Sequence, residues 1–563
     1  MKILLKDKLL MMIVLIFIIS KLLILIGNQN VYHEEQRRGL ISKHIAEKDD
    51  YSPFDYSHAF EGSVVLESYL TVPFVYFFGM SKTTVRIIPF IFSLILLIVI
   101  FLFSKRNFNQ KVAVISSLLY IFSPFYLTRS TILEDFGNFI GIFFSFIILF
   151  FFYQIFFNKK PTKINFILFG MFSGLGIWAY PTVMVMLLTC FIFWFALDKK
   201  FFIKKNFGIV AVSFIVGYLP RIYYWLTYHP QGMNSVRYFI YGDILNNLRY
   251  FIPAAKRLVI TLIPYSLFDS EHLILAYGYY GIALAAFITV FYLNKKSIFS
   301  LARGLIPLQR FNINLRFINK ETFMLIYPLI FLAIFCFMTE GYNSPPHRLI
   351  AVHPFILIII SIFLVKIWDK KSRVVVALII LFLFSTGIFA NLVLIQGKDQ
   401  YKNTTKSIND LIFFLDNKNI KYVYSHSLIS LPLIFLTNEK IIAYHESFDS
   451  IDPDFRYPKY NELVNNATSY ALIYYENSSI NRIFMLYLNA FNISYKKQAI
   501  NDQAVYYSLS KNIRPKNLSD NYIFIKNSMG DKVFKNQLDH TNASYKRLDF
   551  DKNQVIYFLT GTN

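Results

Sequence analysis

Met11-Met-Ile-Val-Leu-Ile-Phe-Ile-Ile-Ser-Lys-Leu-Leu-Ile-Leu-Ile26 holds a single charge, Lys21, and follows Lys2, Lys6 and Lys8. A helix that crosses a bilayer needs about 20 mostly apolar residues, and this stretch reads as one. No small-residue cleavage site follows, so it reads as a retained anchor with its N-terminus inside. The same ruler finds about eleven spans, beginning near Met11, Ile87, Val112, Phe139, Ile164, Pro181, Phe207, Leu275, Thr322, Leu349 and Val374. Val64 to Phe78 is also apolar, but its shortness and Glu67 fit an interfacial helix better. Composition agrees. Of 563 residues, 55% are hydrophobic and 16% charged, against about 25% charged in a typical soluble domain. That excludes an ordinary soluble enzyme. The 61 Phe and 39 Tyr are too much apolar surface for a disordered chain. Cys190 and Cys336 both lie in apolar runs, so they build no disulfide framework or cysteine metal site. The expected fold class is an α-helical polytopic membrane protein.

Sidedness follows from the loops. With the N-terminus inside, every second loop is expected to be basic. These loops carry Lys105, Arg106 and Lys111; Lys159, Lys160 and Lys163; Lys199, Lys200, Lys204 and Lys205; Lys295 to Lys320; and Lys366 to Arg373. All five obey. The net charge of +23 is therefore a topology signal, and nucleic acid is not an expected partner; the lipid bilayer is. Before Gly397 the carboxylates gather on the other face, with only Asp7, Asp198, Glu321 and Asp369 on the basic side. The positive-inside rule does not require this, and chemistry on the outer face would explain it. Residues 1–397 read as a transmembrane domain, with 28–85 as its first outer loop and interfacial helices.

An odd number of spans puts residues 398–563 outside. There helix-like stretches (Ser407 to Asp416, Ile480 to Ala490) alternate with β-like runs (Ile420 to Tyr424, Lys440 to Tyr444, Tyr470 to Tyr474, Ala504 to Tyr507). That pattern predicts a small extracytoplasmic α/β domain. Six N-x-S/T sequons, at Asn403, Asn466, Asn477, Asn492, Asn517 and Asn542, fall here. Glycosylation and chance in an Asn-rich tail fit them equally.

The first outer loop is the most informative segment: Val31-Tyr-His-Glu-Glu-Gln-Arg-Arg-Gly39. Two carboxylates beside two arginines at a membrane surface suit a reaction on a lipid phosphate. One carboxylate takes a proton from an acceptor hydroxyl while arginine holds the anionic leaving group. A solvated helix start, with glutamates in its first turn, fits the same residues.

A pair of this type straight after the first span resembles the Asp-Glu pair of GT-C glycosyltransferases, which include protein O-mannosyltransferases and aminoarabinose transferases. Further patches resemble the family in order: Glu61-Gly-Ser with Glu67 and Arg86-Ile-Ile-Pro89; Ser123-Pro-Phe-Tyr-Leu-Thr-Arg129; Gly174-Leu-Gly-Ile-Trp-Ala-Tyr-Pro181; Tyr218-Leu-Pro-Arg221; and Pro345-Pro-His-Arg348. The resemblance implies a transmembrane glycosyltransferase whose donor is a sugar on a polyprenyl phosphate and whose acceptor, of unknown kind, is extracytoplasmic. It implies Glu34 as general base, with Glu where the family usually has Asp, and Glu35 as its catalytic neighbour. Arg37 and Arg129 would bind the donor phosphate, joined by Arg221 and Arg348 at other span ends; snorkelling also fits those arginines. Glu134 and Asp135 would form a second acidic motif able to help hold a divalent cation, whose identity the sequence leaves unknown. No Trp-Trp-Asp motif occurs, which argues against an oligosaccharyltransferase proper. A glycan flippase would require more buried charges and internal symmetry, and a non-catalytic surface binding protein is the other alternative. Lys21, inside the first span, requires a partner or a watery path.

Overall fold

The computed structural model describes residues 7–30, 32–49, 62–133, 136–157, 161–198, 201–202, 204–228, 244–268, 272–305, 319–337, 346–368, 373–398, 402–444, 457–513, 522–525, 545–551 and 554–559. The chain divides into two compact units, one of Met1–Arg38 with His58–Asp399, the other of Gly39–Ser57 with Gln400–Asn563.

The first unit is helical throughout. Its elements are α1 (Lys8–Gly27), the start of α2 (His33–Ala46), α3 (Gly62–Phe78), α4 (Lys82–Asn107), α5 (Gln110–Ile121), α6 (Phe125–Ile132), α7 (Phe136–Phe156), α8 (Lys163–Ala179), α9 (Val183–Leu197) and α10 (Lys205–Tyr228). After these come α11 (Ile244–Arg257), prolonged by a π turn at Leu258–Leu262, then α12 (Leu273–Leu293), α13 (Lys295–Leu305) and α14 (Lys320–Phe337). A 3-10 turn at Pro346–Val352 leads into α15 (His353–Trp368), and α16 (Arg373–Ile395) closes the unit. Among the described residues eight helices are long and apolar enough to cross a membrane alone. This is a multi-pass membrane protein. Of the other expected spans, the one at Val112 is a bent pair, α5 and α6, meeting at 78°, while α8 and α9 are apolar but shorter.

Local chemistry explains the helix ends. Asp7 caps α1, accepting from the Leu10 amide at 3.5 Å, and Lys105 at the end of α4 donates to it at 2.5 Å. Ser81 and Asn109 cap α4 and α5 through the amides of Thr84 and Val112. Between α5 and α6, Pro124 forbids a continuous helix, and the Ser123 and Thr128 hydroxyls pair across the bend at 2.8 Å.

Small residues set the closest approaches. A Cβ on Gly387 of α16 would lie 1.8 Å from the Phe122 carbonyl at that bend. Gly170 and Gly174 of α8 face α10, where Gly217 faces back, and a Cβ on Gly174 would meet the Phe214 carbonyl at 2.1 Å. Such small-residue seams let helix backbones touch where no hydrophobic gain separates helix from lipid. The intramembrane Lys21, 1% exposed, donates to the carbonyl of Ile121, the last residue of α5, at 2.7 Å and to Asn391 of α16 at 3.2 Å.

In the second unit, α17 (Lys402–Asn417), β1 (Tyr422–Ser425), α18 (Ser427–Leu436), β2 (Ile442–Tyr444), α19 (Pro458–Asn466), β3 (Ala471–Tyr475), α20 (Ser479–Ala490), β4 (Lys496–Ile500) and β5 (Gln503–Tyr507) form an α/β layer. The five strands run in the order β2-β1-β3-β5-β4. β1 is parallel to β2 and β3, while β5 is antiparallel to β3 and β4. Parallel neighbours need crossover connections, and α18 follows β1 while α19 precedes β3. Three more strands, β6 (Tyr522–Ile525), β7 (Tyr545–Asp551) and β8 (Gln554–Leu559), make an antiparallel sheet ordered β6-β8-β7. The later turns of α2 belong to this unit, where Lys43 and His44 both reach Glu439, His44 at 2.8 Å. Tyr460 donates to the same carboxylate, and Tyr457 stacks on His44 at 4.1 Å.

Candidate active site

Four charged side chains leave the first turns of α2 and meet three different fates. Glu35 is 3% exposed and gives both oxygens to Arg86 of α4, at 2.7 Å from Nε and 3.0 Å from Nη2. Arg86 also donates to the carbonyls of Asn28 and Asn30, at 2.8 and 3.0 Å, in the link between α1 and α2. The same asparagines are tied to the end of α16: Asn28 donates to the Leu394 carbonyl at 2.8 Å and Asn30 to that of Gly397 at 3.0 Å. A planar guanidinium suits this double duty, since its fork matches a carboxylate and leaves further donors over. Glu35 thereby fixes where α2 begins.

Arg38 pairs with Glu67 of α3 at 2.6 Å, both buried. Burial raises the Glu67 carboxyl to about 8 against the pull of Arg38, with Glu35 and Glu34 adding to the rise. Glu34 differs from both. Its side chain is 33% exposed, and Arg37, one turn on and itself 2% exposed, donates to it at 2.6 Å. Partial burial pushes the Glu34 carboxyl up, but Arg37, His33 and Arg38 outweigh it and hold it well below the usual carboxylate range. At neutral pH this is an ionised carboxylate with an open side, next to a buried guanidinium. Such a pair can accept a proton and hold an anion.

The structure thus brings together Glu34, Glu35 and Arg37 of the expected site, and adds Arg38, Glu67 and Arg86 to it. Arg129 lies on α6, 4% exposed, with its guanidinium 4.5 Å from the Tyr126 ring and 5.6 Å from that of Phe125. Arg221 is half-buried on α10, 5.7 Å from the Tyr224 ring, and Arg348 is half-buried in the 3-10 turn before α15. Glu134 and Asp135 lie outside the described residues, as does Glu61. Among the described residues no three His, Cys, Asp or Glu side chains are placed to share a metal ion. Arg86 carried a signal of its own in sequence, a charge at the head of an apolar helix.

These elements make a multi-pass helical unit whose first loop after α1 carries the acidic pair, and a smaller α/β unit. Residues 65–225 match the dolichyl-phosphate-mannose-protein mannosyltransferase family. Among solved structures, the chain is similar to ArnT from Cupriavidus metallidurans bound to undecaprenyl phosphate, with TM-score 0.59 and 11% identity over 89% of this chain and 98% of that one. It is also similar to the apo oligosaccharyltransferase of Archaeoglobus fulgidus, with TM-score 0.50 and 12% identity over 86% and 71%. No curated protein sequence matches the chain. The fold is that of the GT-C glycosyltransferases.

Proposed function

We propose that the protein transfers a sugar from a polyprenyl-phosphate carrier to an extracytoplasmic acceptor. The observation that carries this reading is the Glu34–Arg37 pair, a half-open ionised carboxylate at 2.6 Å from a buried guanidinium, directly after the first span. Glu34 takes the proton from the acceptor hydroxyl as its oxygen attacks the sugar carbon. The bond from that carbon to phosphate breaks, and polyprenyl phosphate leaves with its negative charge facing Arg37. Arg129, Arg221 and Arg348 are further candidates for that phosphate, Arg129 first because it is buried. A single displacement of this kind inverts the sugar carbon. The match over residues 65–225 and the undecaprenyl phosphate bound by the similar ArnT structure favour this donor class. In this reading the N-terminus is cytoplasmic and residues 398–563 form an extracytoplasmic domain, which agrees with the basic loops.

The test is direct. Purified protein is incubated with radiolabelled polyprenyl-phosphate sugars, and release of free polyprenyl phosphate is followed for wild type and Glu34→Gln. General-base contributions are typically about 100-fold to 10,000-fold, so release by the variant should fall by at least about 100-fold with the fold intact. Equal release by both proteins would remove Glu34 from the base role. No release from any donor would count against glycosyl transfer itself.

A further inference from the structure

α13 begins one residue after a membrane span ends. Its sequence, Lys295-Lys-Ser-Ile-Phe-Ser-Leu-Ala-Arg-Gly-Leu305, has three cations and no carboxylate. The turn that swings it away from α12 is tightly tied. Asn294, 2% exposed, donates to the Val290 carbonyl at 2.9 Å and to Glu321 at 2.6 Å, and accepts from Asn319 at 3.1 Å. One face of α13 is fastened down. Ser297, Leu301 and Gly304 are buried, and the Ser297 hydroxyl meets that of Thr322 at 2.6 Å and accepts the Asn319 amide at 2.8 Å.

The opposite face is open and has a composition of its own. Phe299 is 67% exposed, and Lys295, Lys296 and Arg303 surround it, all exposed. Lys295 places its ammonium 4.1 Å from the ring centroid of Tyr292, in the last turn of the span. Among the described residues no carboxylate pairs with these three cations. The nearby Glu321 is engaged by Asn294 and by Lys366 at 2.5 Å. A helix so close to a span end lies at headgroup depth. An apolar ring flanked by unpaired cations at that depth is the pattern of an interfacial helix that holds anionic lipid.

We infer that the exposed face of α13 is a docking surface for anionic phospholipid, with Phe299 inserted below the headgroups and Lys295, Lys296 and Arg303 on their phosphates. Each cation near an anionic surface is worth about a fivefold gain in association, so the three together favour charged over zwitterionic lipid strongly. The protein should hold a defined shell of such lipid at this face.

The experiment uses the full chain in nanodiscs of phosphatidylcholine with one fifth phosphatidylglycerol. Partial delipidation followed by mass spectrometry counts the lipids retained. Wild type should keep phosphatidylglycerol at about two to three times its bulk share or more, and K295Q/K296Q/R303Q should fall to the bulk share. The control R106Q/K111Q, on another loop, should behave as wild type. An independent reading places a probe at the site. Phe299→Trp should be quenched more by brominated phosphatidylglycerol than by brominated phosphatidylcholine, and 0.5 M salt should reduce the difference. Equal quenching by both lipids, or undiminished retention in the triple variant, overturns the inference. Enrichment of polyprenyl phosphate with phosphatidylglycerol at its bulk share overturns it too.

Discussion

At Glu35 both carboxylate oxygens are held by Arg86, whereas a third of the Glu34 side chain is open. One residue of spacing therefore separates a buried, doubly held carboxylate from one with an open side. Removing one member of a buried pair leaves the other charge without compensation, at a cost of about 3–5 kcal/mol. Arg86→Gln should accordingly lower the melting temperature of the detergent-solubilised protein sharply. Arg86→Lys should recover only part of it, because an ammonium cannot replace the fork and also reach the Asn28 and Asn30 carbonyls. An Arg86→Gln protein as stable as wild type would remove Arg86 from this role. The acidic pair was legible in sequence because adjacent carboxylates after a span are conspicuous. The long-range pairings were not: Arg86 reaches Glu35, and Glu67 reaches Arg38, from other helices, and nothing in the sequence names which residue of α2 each one meets. The partners of Lys21 were hidden for the same reason, one of them being a backbone carbonyl exposed by the bend at Ile121.

Helices long enough to span were easy to read, since a run of apolar residues needs no tertiary context. Short elements were harder. β4 reads Lys496-Lys-Gln-Ala-Ile500 and is a sheet edge, where charge protects against unwanted pairing and erases the apolar alternation that marks a strand. The bend between α5 and α6 left a visible trace in Pro124, but its partner Gly387 did not announce itself. Gly387→Ala should destabilise, because its Cβ would press on the Phe122 carbonyl, and overpacking of this kind costs about 1–3 kcal/mol. Gly281→Ala, where a Cβ meets nothing within 4 Å, should leave the melting temperature unchanged or raise it. Equal behaviour of the two variants would show that the seam gives way. In the α/β unit, Glu439 gives a pH prediction. Burial raises its carboxyl, but His44, Lys43 and Tyr460 prevail and bring it down to about 2. An acid depressed on folding stabilises above its unfolded value, near 4.5, and that contribution is lost as pH falls toward 2. Amide protection in residues 437–444 of the full chain, taken relative to the intrinsic exchange rate at each pH, should therefore fall as pH drops from 4.5 to 2, and Glu439→Gln should flatten that dependence.

For the molecule as a whole, the proposed orientation has a clean readout. Cys190 and Cys336 are both buried, so an introduced thiol stands out. A membrane-impermeant maleimide applied to intact cells should label Lys496→Cys in the α/β unit and spare Lys205→Cys at the start of α10. After lysis both should react. The opposite pattern would invert the topology and put the acidic pair on the wrong face for a lipid-linked donor in the outer leaflet.

A single helix, α2, is divided between the two units, passing from one to the other between Arg38 and Gly39. Lys43 and His44 find their carboxylate more than three hundred and ninety residues later, at Glu439. Modular exchange with a relative would therefore not succeed by swapping everything after residue 397. The graft has to be discontinuous, carrying residues 39–57 along with the tail, so that recombination at one junction breaks a partnership that a two-junction exchange preserves.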